Sequence, residues 1–270
     1  MTSSDTEAAD AARVDAAVQL IGTEALDAAE SLLLSVIANT PRVYANSLET
    51  TGGLSIKFWG QQEFIHYVTW HERDPRGTPH SAVWLKNAYP RAYYYLGFLC
   101  VKRKQFARAI DFLDKGRALE PTNPKFKFET AQALLSSGRM AEALALYEEV
   151  TEIGPYTSAR DLAMARRGRG FALIEIGRLD KAELAFKASL EIEPQNRLAL
   201  HELGYIDHLR RDGARKPPER VATTPPRMTE CHACGKPFKN GVVLMVDQSP
   251  VGVCKACAAR LNKKWWQFWK

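Results

Sequence analysis

Residues 90–123 read PRAYYYLGFLCVKRKQFARAIDFLDKGRALEPTN. The next block, 124–157, reads PKFKFETAQALLSSGRMAEALALYEEVTEIGPYT, and after five further residues 163–196 reads AMARRGRGFALIEIGRLDKAELAFKASLEIEPQN. Each block holds two apolar patterns at helical spacing with a turn between them. Small residues recur in the first helix (Gly97, Ala131, Gly170) and in the second (Ala109, Ala143, Ala182), where helices must cross closely. Large residues follow one turn later to fill the core: Leu113, Tyr147 and Phe186. Pro121, Pro155 and Pro194 end the second helix, because proline lacks the N–H that a helix interior needs. Gly138 and Gly177 suit the left-handed residue that closes a first helix.

The 34-residue period and this residue set resemble the tetratricopeptide repeat, a helix–turn–helix unit that stacks into a solenoid. The resemblance departs at Lys127 and Arg166, which stand where the family has an early aromatic, and at Arg169, which replaces a leucine. The pattern extends weakly in both directions. Residues 10–43 keep Ala17, Leu20, Ala29, Leu33 and Pro41; residues 44–77 keep Leu54, Tyr67 and Pro75 but place Glu63 at a small-residue position. Residues 197–211 supply one more helix, which caps an open array. The organisation expected is an unstructured 1–9, degenerate repeat helices with an aromatic-rich insert over 10–89, and a repeat array with its capping helix over 90–211. A Pro-rich basic linker over 212–229 and a cysteine module over 230–270 complete it. The aromatic stretch 56–75, with Phe58, Trp59, Phe64, Tyr67 and Trp70, reads as core.

By the resemblance, first helices line a concave face that holds partner peptides or helices. The inward positions here include Tyr94, Phe98, Phe128, Gln132, Leu135, Phe171, Ile174 and Tyr205, with Val101 and His201. Burial between repeats is the competing reading for each of them. The Lys/Asn/Arg clamp with which some relatives hold a terminal carboxylate is absent: Tyr94, Phe98, Gln132 and Met164 occupy its sites. An apolar helix or extended peptide is the expected ligand.

Charge divides the chain. Residues 214–270 hold 11 Lys and Arg against 3 Asp and Glu, whereas 1–213 hold 26 against 28. The same C-terminal part carries two C-x-x-C pairs, Cys231 with Cys234 and Cys254 with Cys257, separated by 19 residues. Four soft thiolates at this spacing suit one tetrahedral, structural Zn2+ and leave no open position for catalysis. Asn240-Gly241 is a hairpin signal with VVLMV as the return strand, and the second pair opens a helix running into KKWWQFWK. Knuckle, hairpin and helix make a treble clef. The segment CHACGKPFKNGVVLMVDQSPVGVCKACAARLNKK resembles the zinc-binding domain of the ClpX unfoldase, which implies binding of adaptors or of itself. Repeats followed by four cysteines also resemble, in architecture alone, LapB-type bacterial assembly proteins. The fold class is therefore an all-α helical solenoid followed by a small α+β zinc ribbon.

The tail residues Trp265, Trp266, Phe268 and Trp269 dock on the chain itself, on a second protein, or on a membrane surface. Basic residues with stacking aromatics also suit single-stranded nucleic acid, as a less favoured alternative. No metalloprotease H-E-x-x-H, phosphate loop, nucleophile elbow or dinucleotide fingerprint occurs. The N-terminus has acids and no apolar core of a signal peptide, so a cytoplasmic location is expected. The sequence thus points to a non-enzymatic adaptor, with one protein in the repeat groove and a second at the zinc module.

Overall fold

Apolar stripes at helical spacing demand partners, and the first 211 residues supply them to one another. The computed structural model describes residues 3–50, 53–73, 82–212, 241–246 and 249–254. It divides into two units, Met1–Arg211 and Asp212–Lys270.

The first unit begins with α1 (Ser3–Gly22) and α2 (Leu26–Ile37). Helix already starts at Ser3, in place of the unstructured stretch expected over 1–9. An insert follows, made of β1 (Ser47–Thr50), β2 (Gly53–Phe58), α3 (Gln61–Arg73) and β3 (Ala82–Lys86). The repeats are α4 (Tyr89–Lys102) with α5 (Phe106–Leu119), α6 (Pro124–Ser136) with α7 (Met140–Glu148), and α8 (Ala159–Glu175) with α9 (Leu179–Leu190). Helix α10 (Arg197–Asp212) covers the last pair through Ala199 and Ile206.

Within a repeat the two helices approach as the small residues require. A Cβ added at Gly97 would stand 2.5 Å from Leu113 Cγ, and one at Gly170 would stand 2.6 Å from Phe186 Cε2. Ala131, Ala109, Ala143 and Ala182 are fully buried. The residues that depart from the repeat pattern find polar solutions instead: Lys127 pairs with Glu149 at 3.0 Å, and Arg166 donates to the Ala188 carbonyl at 2.6 Å.

Four turns share one design. After α1, α4, α6 and α8 a residue takes positive φ: Glu24 (62°), Lys104 (60°), Gly138 (84°) and Gly177 (76°). The next backbone N–H then returns to a carbonyl five residues earlier, Ala25 to Leu20, Gln105 to Cys100, Arg139 to Leu134 and Arg178 to Leu173, at 2.8–2.9 Å. This closure satisfies carbonyls that the helix end leaves open. Its presence after α1 shows that α1 and α2 form a helix pair of the same kind as the repeats.

The described residues of 44–77 do not form the degenerate repeat expected there, and the unit is not purely helical. Strand β1 runs antiparallel to β2 with Ser47 opposite Ile56, and β2 runs parallel to β3 with Leu54 opposite Ala82. Parallel neighbours need a crossover, and α3 provides it. The cause is local: Leu54, Ile56 and Phe58 alternate with Ser55 and Lys57, a period of two that no helix can bury on one side. Ile56, Phe58 and Tyr67 are buried, with Phe64 and Val68 against them. The insert lies outside the helical stack, since α2 packs directly on α4. One continuous core joins Ala29, Leu33 and Val36 of α2 to Leu96 and Leu99 of α4.

In the second unit β4 (Gly241–Val246) pairs antiparallel with β5 (Ser249–Cys254), Val246 opposite Ser249 and Gly241 opposite Cys254. VVLMV pairs with the segment that follows it, and the segment before Asn240 lies outside the described residues. Cys254 is the last described residue of β5, and the helix expected beyond it lies outside the described residues. Val251 and Val253 alternate with Pro250 and Gly252, again a period of two. The linker over 213–229, Cys231, Cys234 and Cys257, and the tail with Trp265, Trp266, Phe268 and Trp269 lie outside the described residues.

Side chains other than glycine pay for positive φ, by about 1 kcal/mol. Lys104→Gly should therefore raise the unfolding free energy by about 0.5–1 kcal/mol in urea titrations, and Gly177→Ala should lower it by a similar amount or more.

Candidate functional site

The first helices of the repeats stack side by side, α1 on α4, α4 on α6 and α6 on α8. Their common face was expected to meet a partner, and its residues divide into two kinds. Phe128 is 8% exposed and stacks on Tyr147 with centroids 6.3 Å apart; Ile174 is 4% exposed among Leu173, Phe186 and Ile206. Both are core residues that fasten α6 to α7 and α8 to α9, and neither lines a groove. Phe98, Leu135, Phe171 and Tyr205 are half-buried, and Gln132 is exposed with its amide donating to Ser136 Oγ at 3.4 Å. Phe171 is held edge-on to Phe186 at 5.3 Å, and Leu135 touches the clusters of two successive repeats. Met164 and Leu198 stand exposed nearby in sequence on α8 and α10. The face offers fixed apolar side chains with polar gaps.

Tyr94 is different, because the chain itself covers it. Trp59 follows β2 and sets its indole 5.0 Å from the Tyr94 ring and 5.7 Å from that of Phe126. The Tyr94 hydroxyl donates to Glu129 Oε2 at 3.3 Å. Burial raises the Glu129 carboxyl above its ordinary value, and the Tyr94 hydrogen bond opposes that rise. The Trp59 indole N–H donates to Glu120 Oε2 at 2.7 Å.

Glu120 ties the insert to the repeats. It is 5% exposed and also accepts from Asn123 Nδ2 at 3.0 Å and Asn87 Nδ2 at 3.2 Å. Burial pushes its carboxyl up to about 7, against the hydrogen bonds from Asn123 and Trp59 and the charge of Lys57. Lys125 pairs with Glu63 and lies 4.7 Å from the Trp59 ring centroid. Burial draws its ammonium down to about 8, opposed by the charge of Asp161. Farther along, His66 Nε2 lies 2.8 Å from the Gly154 carbonyl; the carbonyl only accepts, so that nitrogen carries the proton. Lys57 pairs with Glu7 of α1 at 2.8 Å, which fastens the other side of the insert.

Sequence reading placed Trp59 in a core but not against α4 and α6. It missed Glu120 altogether, since an acid before the helix-ending Pro121 carries no signal of burial. Among the described residues no group of three or more His, Cys, Asp or Glu is placed to hold a metal ion. Of the four cysteines expected to bind zinc, Cys254 alone is described. No described helix is long and apolar enough to cross a membrane.

Tetratricopeptide-repeat family models match residues 101–167 and 168–196. Over these residues the chain is similar to tetratricopeptide repeats. The Protein CTR9 homolog of Arabidopsis thaliana is 26% identical over 163 residues, which cover 60% of this chain and 14% of that protein. The chain thus spans a small part of that relative's length. Among solved structures, the Sgt2 TPR domain from Aspergillus fumigatus is 21% identical, covering 50% of this chain and 89% of that one, with a TM-score of 0.41. The second TPR domain of human RPAP3, in complex with the HSP70 peptide SGPTIEEVD, is 23% identical over 44% of this chain and 98% of that one, with a TM-score of 0.36.

The raised Glu120 carboxyl predicts a pH effect. Its folded value of about 7 exceeds the unfolded 4.5, so its stabilising share is complete below pH 4.5 and is lost as pH rises to about 7. Unfolding free energies measured at pH 5 and pH 8 should fall across that interval by up to about 3 kcal/mol from this group, and Glu120→Gln should flatten the fall.

Proposed function

We propose that this chain is a non-enzymatic scaffold that holds a peptide or helix of a partner protein on the inner face of its tetratricopeptide repeats. The observation that carries the reading is that Phe98, Leu135, Phe171 and Tyr205 on successive first helices are half-buried and that Gln132 is exposed. Rigid apolar side chains on successive helices can receive a ligand without paying to order loops. The partner gains area from the aromatic rings and register from Gln132. Affinity capture by the full chain should therefore lose specific proteins when Phe171→Glu and Gln132→Arg are introduced together. A capture list unchanged by the double variant would remove this face from the function.

We also propose that Cys231, Cys234, Cys254 and Cys257 bind one structural Zn2+ and that this module docks a second protein. The donor set supports the reading: four thiolates in two C-x-x-C pairs fit a tetrahedral soft-ligand site, and a module this small needs a staple. The strand-end position of Cys254, across from Gly241, is compatible with a ligand brought to a hairpin's open end. Purified protein should contain one zinc per chain by atomic absorption, and Cys254→Ser should lower that content. A chain free of zinc after purification without chelator would refute the assignment.

A further inference from the structure

The insert has a core of its own. Phe58 meets Phe64 at 5.7 Å and Tyr67 at 5.4 Å. Strand β2 ends at Phe58 and the chain bends at Trp59, whose ring leaves that core and faces the repeats. It lands on Tyr94 and Tyr95 of α4 and Phe126 of α6. Its N–H meets the buried acceptor Glu120, and its ring lies by the ammonium of Lys125. Glu63, four residues after Trp59, supplies the acid that pairs with Lys125. Each feature of the segment has a counterpart on the repeat surface: apolar ring against rings, donor against acceptor, acid against base.

Tyr94 belongs to the face read above as the peptide-binding face, so this segment is seated on part of that surface. The repeat side of the contact reads a pattern, an aromatic donor followed four positions later by an acid. We propose that the Trp59 seat is a peptide-recognition site occupied in cis by the insert, and that a partner segment carrying an aromatic N–H donor with an acid four residues on exchanges with it. The inference rests on the reading that the repeat face binds peptides, and it adds the chemistry of one class of ligand and the means by which access is restricted. Other contacts, among them Lys57 with Glu7, Lys86 with Asp15, His66 with Gly154 and Tyr67 with Tyr156, hold the insert near while Trp59 leaves its seat.

The probe is a fluorescent peptide with the sequence of residues 54–73, LSIKFWGQQEFIHYVTWHER, titrated into the full chain and followed by anisotropy. Trp59→Ala in the full chain vacates the seat and should bind the peptide at least tenfold more tightly than the wild-type chain. A peptide whose own Trp59 position is Ala should not bind. Glu63→Gln in the full chain loosens the Lys125 pair without removing a ring and should give intermediate binding; it serves as the second variant if Trp59→Ala loses its far-UV circular dichroism. Equal binding by wild type and variants, or no binding by a folded variant, would overturn the proposal. Unfolding of both variants would overturn it as well, because an insert that cannot leave its seat is not exchangeable. None of these failures touches the scaffold reading, which stands or falls on the Phe171 and Gln132 variants.

Discussion

Close contact between paired helices governs the whole first unit. Where Gly170 meets Phe186 and Gly97 meets Leu113, a single added carbon would overlap a side chain. Interiors packed to this density tolerate little change in volume, so the small residue on one helix and the large residue on its partner must agree. That agreement sets the angle and depth of each pair. It also sets how the next pair can stack, because the same first helix presents its other side to its neighbour. Phe128 and Ile174 belong to this contact system, which is why they are unavailable to a ligand.

The insert solves a different problem. Its three short strands and one helix have a small core of their own, and the repeats provide further surface for it to pack on. Trp59, Lys57, His66 and Tyr67 reach α4 and α6, α1, and the segment after α7. The cost falls on Glu120, a carboxylate withdrawn from water. Three donors from Trp59, Asn87 and Asn123 offset part of that cost, and the raised carboxyl records the remainder. Surface ion pairs such as Lys102 with Glu24 and Arg108 with Glu30 also join the first helix pair to the second, but exposed pairs of this kind contribute little each.

Legibility followed the range of the interactions. Repeats were readable because Gly97, Leu113, Gly138, Gly170, Phe186 and Pro194 recur at a fixed period and each has a local reason. The pair α1 and α2 was readable only weakly, since Glu24 and Lys104 occupy turn positions where glycine would have been the signal. The alternation of Leu54, Ile56 and Phe58 with Ser55 and Lys57 is a strand signal inside a stretch that the repeat period also spans. In the second unit the alternation of Val251 and Val253 with Pro250 and Gly252 is a local strand signal that agrees with β5, while Asn240 of the expected Asn240-Gly241 turn lies outside the described residues. Of the candidate site, Phe98, Leu135, Phe171 and Tyr205 are half-buried and Gln132 is exposed. Their separation from Phe128 and Ile174 depended on depth, which spacing along one helix does not express.

What the sequence determined alone is the repeating helical frame, the positions of its turns and the division of charge between the two parts of the chain. These follow from periodicity, backbone stereochemistry and composition, all local properties. What only the tertiary structure decided is that the aromatic insert stands outside the helical stack and sits on the face its repeats were expected to offer a partner. That outcome depends on residues far apart in the chain, Trp59 with Glu120 and Glu63 with Lys125, whose complementarity exists only once α4, α5 and α6 have packed.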